Sequence, residues 1–294
     1  MRPFTWLAPD TTAEAVALLR EHAPGARVIA GGQSLLLAMK DRTAGPSHLV
    51  SLGGIADLAG LTSAEDGSLV VGAATTYAVL ARTALPGWHE VLADVAGDLA
   101  DRPVRNRGTI GGALCTADPR YDLPAFAVGV GATLRVSRAG GDRTLPAEEF
   151  VRGAGETALG PDEILTAVVL PPLPTWDVVV FEKFRHRVFD AAIVSVTCAL
   201  RQGAGSPAAA RVTIGGATGA PVTAPGAARL LAGAPSGEKA GNGATSVGDG
   251  IGDAAAEEVL PGGGPDETSR YQYELIRTLV SRAAARALTD PGSA

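Results

Sequence analysis

The sequence predicts a mixed fold of helices and strands in two parts, and three observations predict it. Short β-rich runs alternate with helix-like stretches through the first part of the chain, Pro171-Pro172-Leu173-Pro174 interrupts that pattern, and Tyr271 to Leu288 closes the chain as a helix. Prolines this dense forbid a continuing central strand, so the second part is expected to begin after them.

The elements follow in order. Thr11-Thr12-Ala13-Glu14 has the form of a capping box, with Ala15, Leu18, Leu19 and His22 on one face and Pro24-Gly25 as the stop. Arg27-Val28-Ile29-Ala30 reads as a strand ending at two glycines, and a helix is expected from Ser34 to Lys40. His48 to Leu52 and Leu69 to Gly72 read as strands, and Thr76 to Ala84 and Glu90 to Leu99 as helices. Leu123 to Gly131 is an apolar run, Thr133 to Val136 alternates as a strand does, Glu148-Glu149-Phe150 with Gly153 reads as a short helix or turn, and Glu163 to Leu170 reads as a strand. Beyond the prolines, strands are expected around Val178 to Arg187 and Ala210 to Ile214, with a further segment from Ala191 to Arg201. Residues 232–266, rich in Gly, Ala, Ser and Pro, read as a long flexible loop.

Composition removes several functions. A net charge of -6 opposes nucleic-acid binding, which needs clustered Lys and Arg to neutralise phosphates. No apolar run approaches the roughly 20 residues that span a bilayer. The opening Met1-Arg2-Pro3-Phe4-Thr5-Trp6 lacks the charged head and apolar core of a signal peptide, so a cytoplasmic protein is expected. Cys115 and Cys198 alone cannot ligate an iron–sulfur cluster, and His22, His48, His89 and His186 show no metal-ligand spacing. Redox work by this chain therefore calls for an organic cofactor.

Two glycine loops carry the chemistry. Gly31-Gly32 lies between a predicted strand and a helix, where bare N–H groups collect and anions bind, with Gln33 and Ser34 as further donors. Taken alone it also reads as an ordinary tight turn. Thr109-Ile110-Gly111-Gly112 repeats the pattern, preceded by Arg102, Arg105 and Arg107, which fit either an anion or an exposed basic loop. Two such loops suggest a dinucleotide with its diphosphate between them. The G-x-G-x-x-G fingerprint is absent from both, which counts against a Rossmann site.

The run Ala30-Gly31-Gly32-Gln33-Ser34-Leu35 with Met39-Lys40 and Arg42 resembles the first FAD motif of the medium subunits of molybdenum hydroxylases, such as carbon monoxide dehydrogenase and xanthine dehydrogenase. Val104 to Gly112, then Ala117-Asp118-Pro119 and Asp122-Leu123-Pro124-Ala125, resembles the second. The likeness continues through Gly72 to Thr76, Glu163-Ile164-Leu165, Phe181-Glu182-Lys183 and Asp190 to Val194. It implies an α+β fold: a two-lobed FAD-binding domain of the vanillyl-alcohol-oxidase (PCMH) type over residues 1–175, with lobes of about 1–55 and 56–175. Residues 176–294 would form a smaller domain with a three-stranded antiparallel sheet and helices.

The resemblance also implies site roles. Val28, Ile29, Ala30, Gly31, Gly32, Gln33, Ser34 and Leu35 would hold the FAD diphosphate and nearby ribitol from one side, and Thr109, Ile110, Gly111, Gly112 and Ala113 from the other. Asp122 would accept from a ribose or ribityl hydroxyl, Leu165 would meet the flavin through its backbone, Lys183 would lie at the flavin pyrimidine edge, and Leu99 would pack on the cofactor. From the residues alone, Asp122 also reads as a helix cap, and Lys183, Arg185 and Arg187 as one solvated strand face. Ala113 stands where the family commonly has Asn, and Ala191 where some members carry a shielding Tyr. Cys115 reads as a small buried thiol, with a covalent flavin thioether as the other reading.

The implied function is an electron relay: an FAD-dependent oxidoreductase subunit partnered by a molybdenum-cofactor large chain and a [2Fe–2S] small chain, passing electrons to NAD or oxygen. Two other readings stand beside it. One is a free-standing flavoenzyme acting on a small molecule, with Tyr121 and His186 as the nearest base candidates, and the other is a nucleotide-binding scaffold without catalysis.

Overall fold

The structure, a computed structural model, describes residues 1–235 and 244–289. It opens with β1 (Thr5–Leu7), α1 (Thr12–Glu21), β2 (Ala26–Ile29), α2 (Leu35–Lys40) and β3 (His48–Ser51), and the three strands form a parallel sheet in the order β1-β3-β2. Thr11 caps α1 by accepting from the Glu14 N–H, as the sequence predicts. The Glu14 carboxylate reaches one residue further back than a capping box requires, to the N–H of Asp10. Ala15, Val16 and Leu19 bury the inner face of α1 against Val50 and Leu52.

A second lobe follows, built on β4 (Leu61–Ser63), β5 (Leu69–Gly72), α3 (Tyr77–Leu80), α4 (Glu90–Gly97), α5 (Arg102–Arg105), α6 (Ile110–Thr116) and α7 (Asp122–Val130). It continues with β6 (Thr133–Ser137), β7 (Arg143–Pro146), α8 (Ala147–Phe150), β8 (Val151–Gly153), β9 (Glu156–Thr157) and β10 (Ile164–Leu170). Five of these strands make an antiparallel sheet in the order β4-β5-β10-β6-β7. The apolar run at 123–131 is α7, every residue of which is buried, so this is a core helix without a solvent face.

The rest comprises β11 (Val178–Phe184), β12 (Val194–Arg201), β13 (Ala209–Gly215), β14 (Val222–Thr223), α9 (Pro225–Gly233), α10 (Ala244–Val259) and α11 (Glu267–Thr289). Three long antiparallel strands carry the sheet, and β14 adds a two-residue edge. Alternation assigns its two faces. Val178, Val180, Val194, Val196 and Cys198 pack under α9 to α11, while Val179, Phe181 and Ala199 join the core around α7.

The expectation of a flexible loop at 232–266 is overturned over most of its length. Residues 244–259 are helix α10, packed on α11 with Ile251, Ala255 and Ala256 buried. The small residues were misread. A Cβ at Gly248 would lie 2.6 Å from the Ser281 carbonyl oxygen, and one at Gly252 2.3 Å from that of Arg277. Glycine here permits close helix contact. The part of that expectation at 236–243 lies outside the described residues.

Candidate active site

The first glycine loop follows β2 and leads into α2. Gly32 has φ +74°, the left-handed turn that brings the chain round. Gly31 has a different reason: a Cβ there would collide with the carbonyl of Arg107. The two loops touch backbone to backbone, and glycine is what that contact demands. Ile29 and Leu52 are buried behind the loop. Five successive N–H groups, Gly31 to Leu35, make no hydrogen bond to the described residues.

The second loop differs. The Ile110 N–H donates to the Thr75 carbonyl at 3.1 Å and the Gly111 N–H to that of Ala73 at 2.9 Å. Thr109 Oγ1 accepts from the Gly112 N–H at 3.1 Å, and the Ala113 N–H is in the helix ladder to the Thr109 carbonyl. Gly111 is needed because its Cβ would fall 2.6 Å from that of Ala73. The sequence reading of these glycines as bare backbone donors is therefore corrected: Ile110 and Gly111 donate to the segment that follows β5, and Gly112 to the Thr109 cap of α6.

Between the lobes lies a cleft in two chambers that share Gly32, Gln33, Ser34 and Tyr77. The first, about 380 Å³, is lined by Val28 to Leu35, Thr109, Gly111, Gly112 and Leu165 from the sequence-predicted set. The second, about 530 Å³, adds Leu99, Ala113, Asp122 and Lys183. Ile110 alone of that set lines neither, its side chain being buried in the core. Leu165 lies in the first chamber, away from Lys183 and Asp122 in the second.

Lys183 is no solvated strand residue. Its side chain is 9% exposed, and its Nζ meets Asp122 Oδ2 at 2.5 Å and both the carbonyl and the carboxylate of Asp98 at 3.1 Å. Arg185 grips the same Asp98 carbonyl at 2.8 Å and its carboxylate at 2.6 Å. Burial drives the Asp122 carboxyl above its ordinary value, and Lys183 opposes that shift. Asp122 Oδ1 is buried and has no hydrogen-bond partner among the described residues. Asp122 also occupies the first turn of α7 but caps nothing with its side chain.

Next to Asp98, Arg105 holds the carbonyls of Leu99 and Ala100 at 2.8 and 2.7 Å, and Ala100 sits at φ +41°. Cations thus fasten the segment from Asp98 to Ala100, of which Leu99 and Ala100 line the second chamber. Sequence reasoning missed Asp98 because its partners Lys183 and Arg185 are distant in the chain. It also missed Tyr77, which lines both chambers and whose ring lies where a Cβ on Gly108 would go. The Thr76 cap and the glycine were the available signals.

Cys115, expected to be buried, is exposed on the first-chamber wall. It projects from the cleft side of α6, whose other face holds Ile110, Ala113 and Leu114 in the core. Tyr121 lines the second chamber, whereas His186 is exposed, stacks edge-on to Phe184 and does not line the cleft.

Residues 2–173 match the family described as the FAD binding domain in molybdopterin dehydrogenase. The chain belongs to this family. FAD is accordingly its cofactor, and it is a component of an FAD-dependent oxidoreductase. It is 32% identical to the carbon monoxide dehydrogenase medium chain of Afipia carboxidovorans over 97% of this chain and 98% of that one. Against the xanthine dehydrogenase FAD-binding subunit of Escherichia coli O157:H7 identity is 28%, over 96% and 95%. The structure superposes on carbon monoxide dehydrogenase from Hydrogenophaga pseudoflava with a TM-score of 0.87 at 29% identity, covering 97% of each chain. These likenesses do not favour the free-standing enzyme or the scaffold. Among the described residues no helix is long and apolar enough to cross a membrane, and no cluster of side chains could hold a metal ion.

The residues fit the cofactor. Five N–H groups without a partner among the described residues belong to the cleft-lining run Gly31 to Leu35, of which Gly32, Gln33 and Ser34 line both chambers, and the buried Asp122 Oδ1 has no donor among the described residues. A diphosphate supplies the acceptors and a sugar-alcohol chain the hydroxyl.

Proposed function

We propose that this chain is the electron-relaying flavin subunit of a molybdenum hydroxylase-type dehydrogenase, with FAD stretched across both chambers. The observation that carries the reading is the run of free N–H groups at Gly31 to Leu35, where the two chambers meet. The diphosphate would lie there. The adenosine would occupy the first chamber, beside Val28, Ile164 and the backbone of Leu165, and the isoalloxazine the larger second one. This moves Leu165 from the flavin end to the adenosine end. It also separates Cys115 from the ring carbons of the flavin, which disfavours a thioether.

Bound FAD supplies two-electron acceptance and single-electron release. The chain does the rest. The free amides of the first loop hold the diphosphate in place of water. Asp122 Oδ1 accepts from a ribityl hydroxyl. Lys183 presents positive charge at the second chamber while Asp122 and Asp98 offset it. Leu99 and Ala113 exclude water from the ring.

The chain's two cysteines cannot ligate the clusters, and the relatives it matches over nearly their whole length are named a medium chain and an FAD-binding subunit, so substrate oxidation and cluster chemistry would belong to partner chains: a molybdenum-cofactor large subunit and a [2Fe–2S] small subunit. Exposed Leu37 and Phe189, 57% and 63% accessible, stand at the second chamber's rim, where electrons would enter or leave. NAD and oxygen are the candidate acceptors, and the cytoplasm the proposed location.

Expression with the neighbouring chains of its own genome tests this reading. A yellow complex containing molybdenum and two [2Fe–2S] clusters is expected, its flavin bleaching anaerobically when substrate reaches the large subunit. A chain that purifies alone and whose flavin is bleached directly by a small organic substrate would overturn it.

A further inference from the structure

Ser34 Oγ and Tyr121 OH lie 3.0 Å apart, a hydrogen bond that joins the first glycine loop to the start of α7. Ser34 lines both chambers and Tyr121 the second. Neither hydroxyl has another protein partner among the described residues. Which one donates is therefore decided between these two groups and whatever fills the cleft.

We propose that Tyr121 is a positioning residue for the cofactor diphosphate: its phenol donates to Ser34 Oγ and so commits the Ser34 proton to the anion on the first loop. This inference rests on the FAD reading above. A phenol, with a pKa near 10, is a stronger acid and better donor than an aliphatic alcohol. A hydroxyl that accepts one hydrogen bond while donating another is polarised in the direction of donation. Beside the N–H groups of Gly31 to Leu35, a phosphate oxygen is the acceptor that this arrangement addresses.

Several donors of the second lobe are already engaged: the loop N–H groups at Ile110, Gly111 and Gly112 are bonded within the fold, and Thr116 Oγ1 donates to the Gly112 carbonyl at 2.7 Å. Ala113 has no side-chain donor, and it lines the same chamber as Tyr121. Tyr121 thus supplies, through Ser34, the hydrogen bond from the second lobe that Ala113 lacks.

The test is FAD titration of the deflavinated full chain for the wild type, Tyr121→Phe, Ser34→Ala and the double variant, with 31P NMR of the bound cofactor. Loss of the relay is expected to weaken FAD about 3- to 10-fold in Tyr121→Phe, the range for a hydrogen bond between neutral groups, and about 10- to 100-fold in Ser34→Ala, the range for one to a charged group. The double variant should bind no more weakly than Ser34→Ala, and Tyr121→Phe should shift a diphosphate 31P resonance. Independent, multiplicative losses, an unshifted 31P spectrum, or wild-type affinity in Tyr121→Phe would overturn the proposal. A wild-type chain that binds no FAD would instead remove the reading on which it rests.

Discussion

Replacing Lys183 with Met removes the cation from a buried pair and leaves Asp122 without its partner. Lys183 and Asp122 side chains are 9% and 4% exposed, and their 2.5 Å contact is the only hydrogen bond Asp122 makes with its side chain among the described residues. Breaking such a pair from one side costs about 3–5 kcal/mol, because the surviving charge is desolvated and uncompensated. Asp98 loses less, since Arg185 still holds it. The penalty has a definite pH dependence. Asp122 already titrates above its ordinary value through burial, and losing Lys183 raises it further. For an acid with a raised folded-state value, the folded chain binds the proton more tightly, so stability falls as pH rises from the unfolded value near 3.9 toward the folded one. Urea unfolding of the apoprotein at about pH 7.5 and about pH 5.5 should give a smaller Lys183→Met penalty at the lower pH. Adding Asp122→Asn should recover part of the loss, since the amide carries no charge to strand. A Lys183→Met variant within about 1 kcal/mol of wild type, the size of a surface pair, would refute the buried-pair argument. So would a double variant no more stable than the single one.

Other outcomes follow from the same geometry. Gly31→Ala places a methyl against the Arg107 carbonyl, so the two loops must separate; a cost of about 1–3 kcal/mol and loss of FAD binding are expected in thermal and titration assays. Arg105→Ala frees the Leu99 and Ala100 carbonyls, and faster amide exchange through residues 98–101 with weaker FAD retention should follow. Glu163 sits on the first-chamber wall with its carboxyl held below the usual range, chiefly by Arg143. Its folded value is depressed, so the stability it confers is complete above about pH 4.3 and is lost as pH falls through the folded value. Glu163→Gln should flatten the acid limb of the stability curve.

Much of this was legible in the sequence. The strand–glycine–helix pattern at 27–40, the flanks of Thr109-Ile110-Gly111-Gly112 and the motif around Asp122 pointed to site residues that, Ile110 excepted, line the cleft, because local patterns encode backbone turns and caps; lining residues such as Tyr77 and Ala100 carried no such mark. What was not legible is tertiary. No local signal says that Lys183 is buried between Asp122 and Asp98, since alternating charges on a strand look alike whether wet or paired. The N–H groups of Ile110 and Gly111 are used by the carbonyls of Thr75 and Ala73, which only the fold brings near, while that of Gly112 is used by the local Thr109 cap. Helix α10 was hidden by composition: Gly248 and Gly252 lower helix propensity yet allow contact with α11, and that packing outweighs the propensity.

The central claim is that the first glycine loop, and not the second, donates backbone hydrogen bonds to the cofactor diphosphate. Amide hydrogen exchange of the apoprotein, with and without saturating FAD, tests it most directly. Exchange at Gly31 to Leu35 should be fast in the apoprotein and strongly slowed by FAD, while Ile110 to Ala113, already bonded within the fold, should change little. Protection that appears at 110–113 and leaves 31–35 fast would contradict the account.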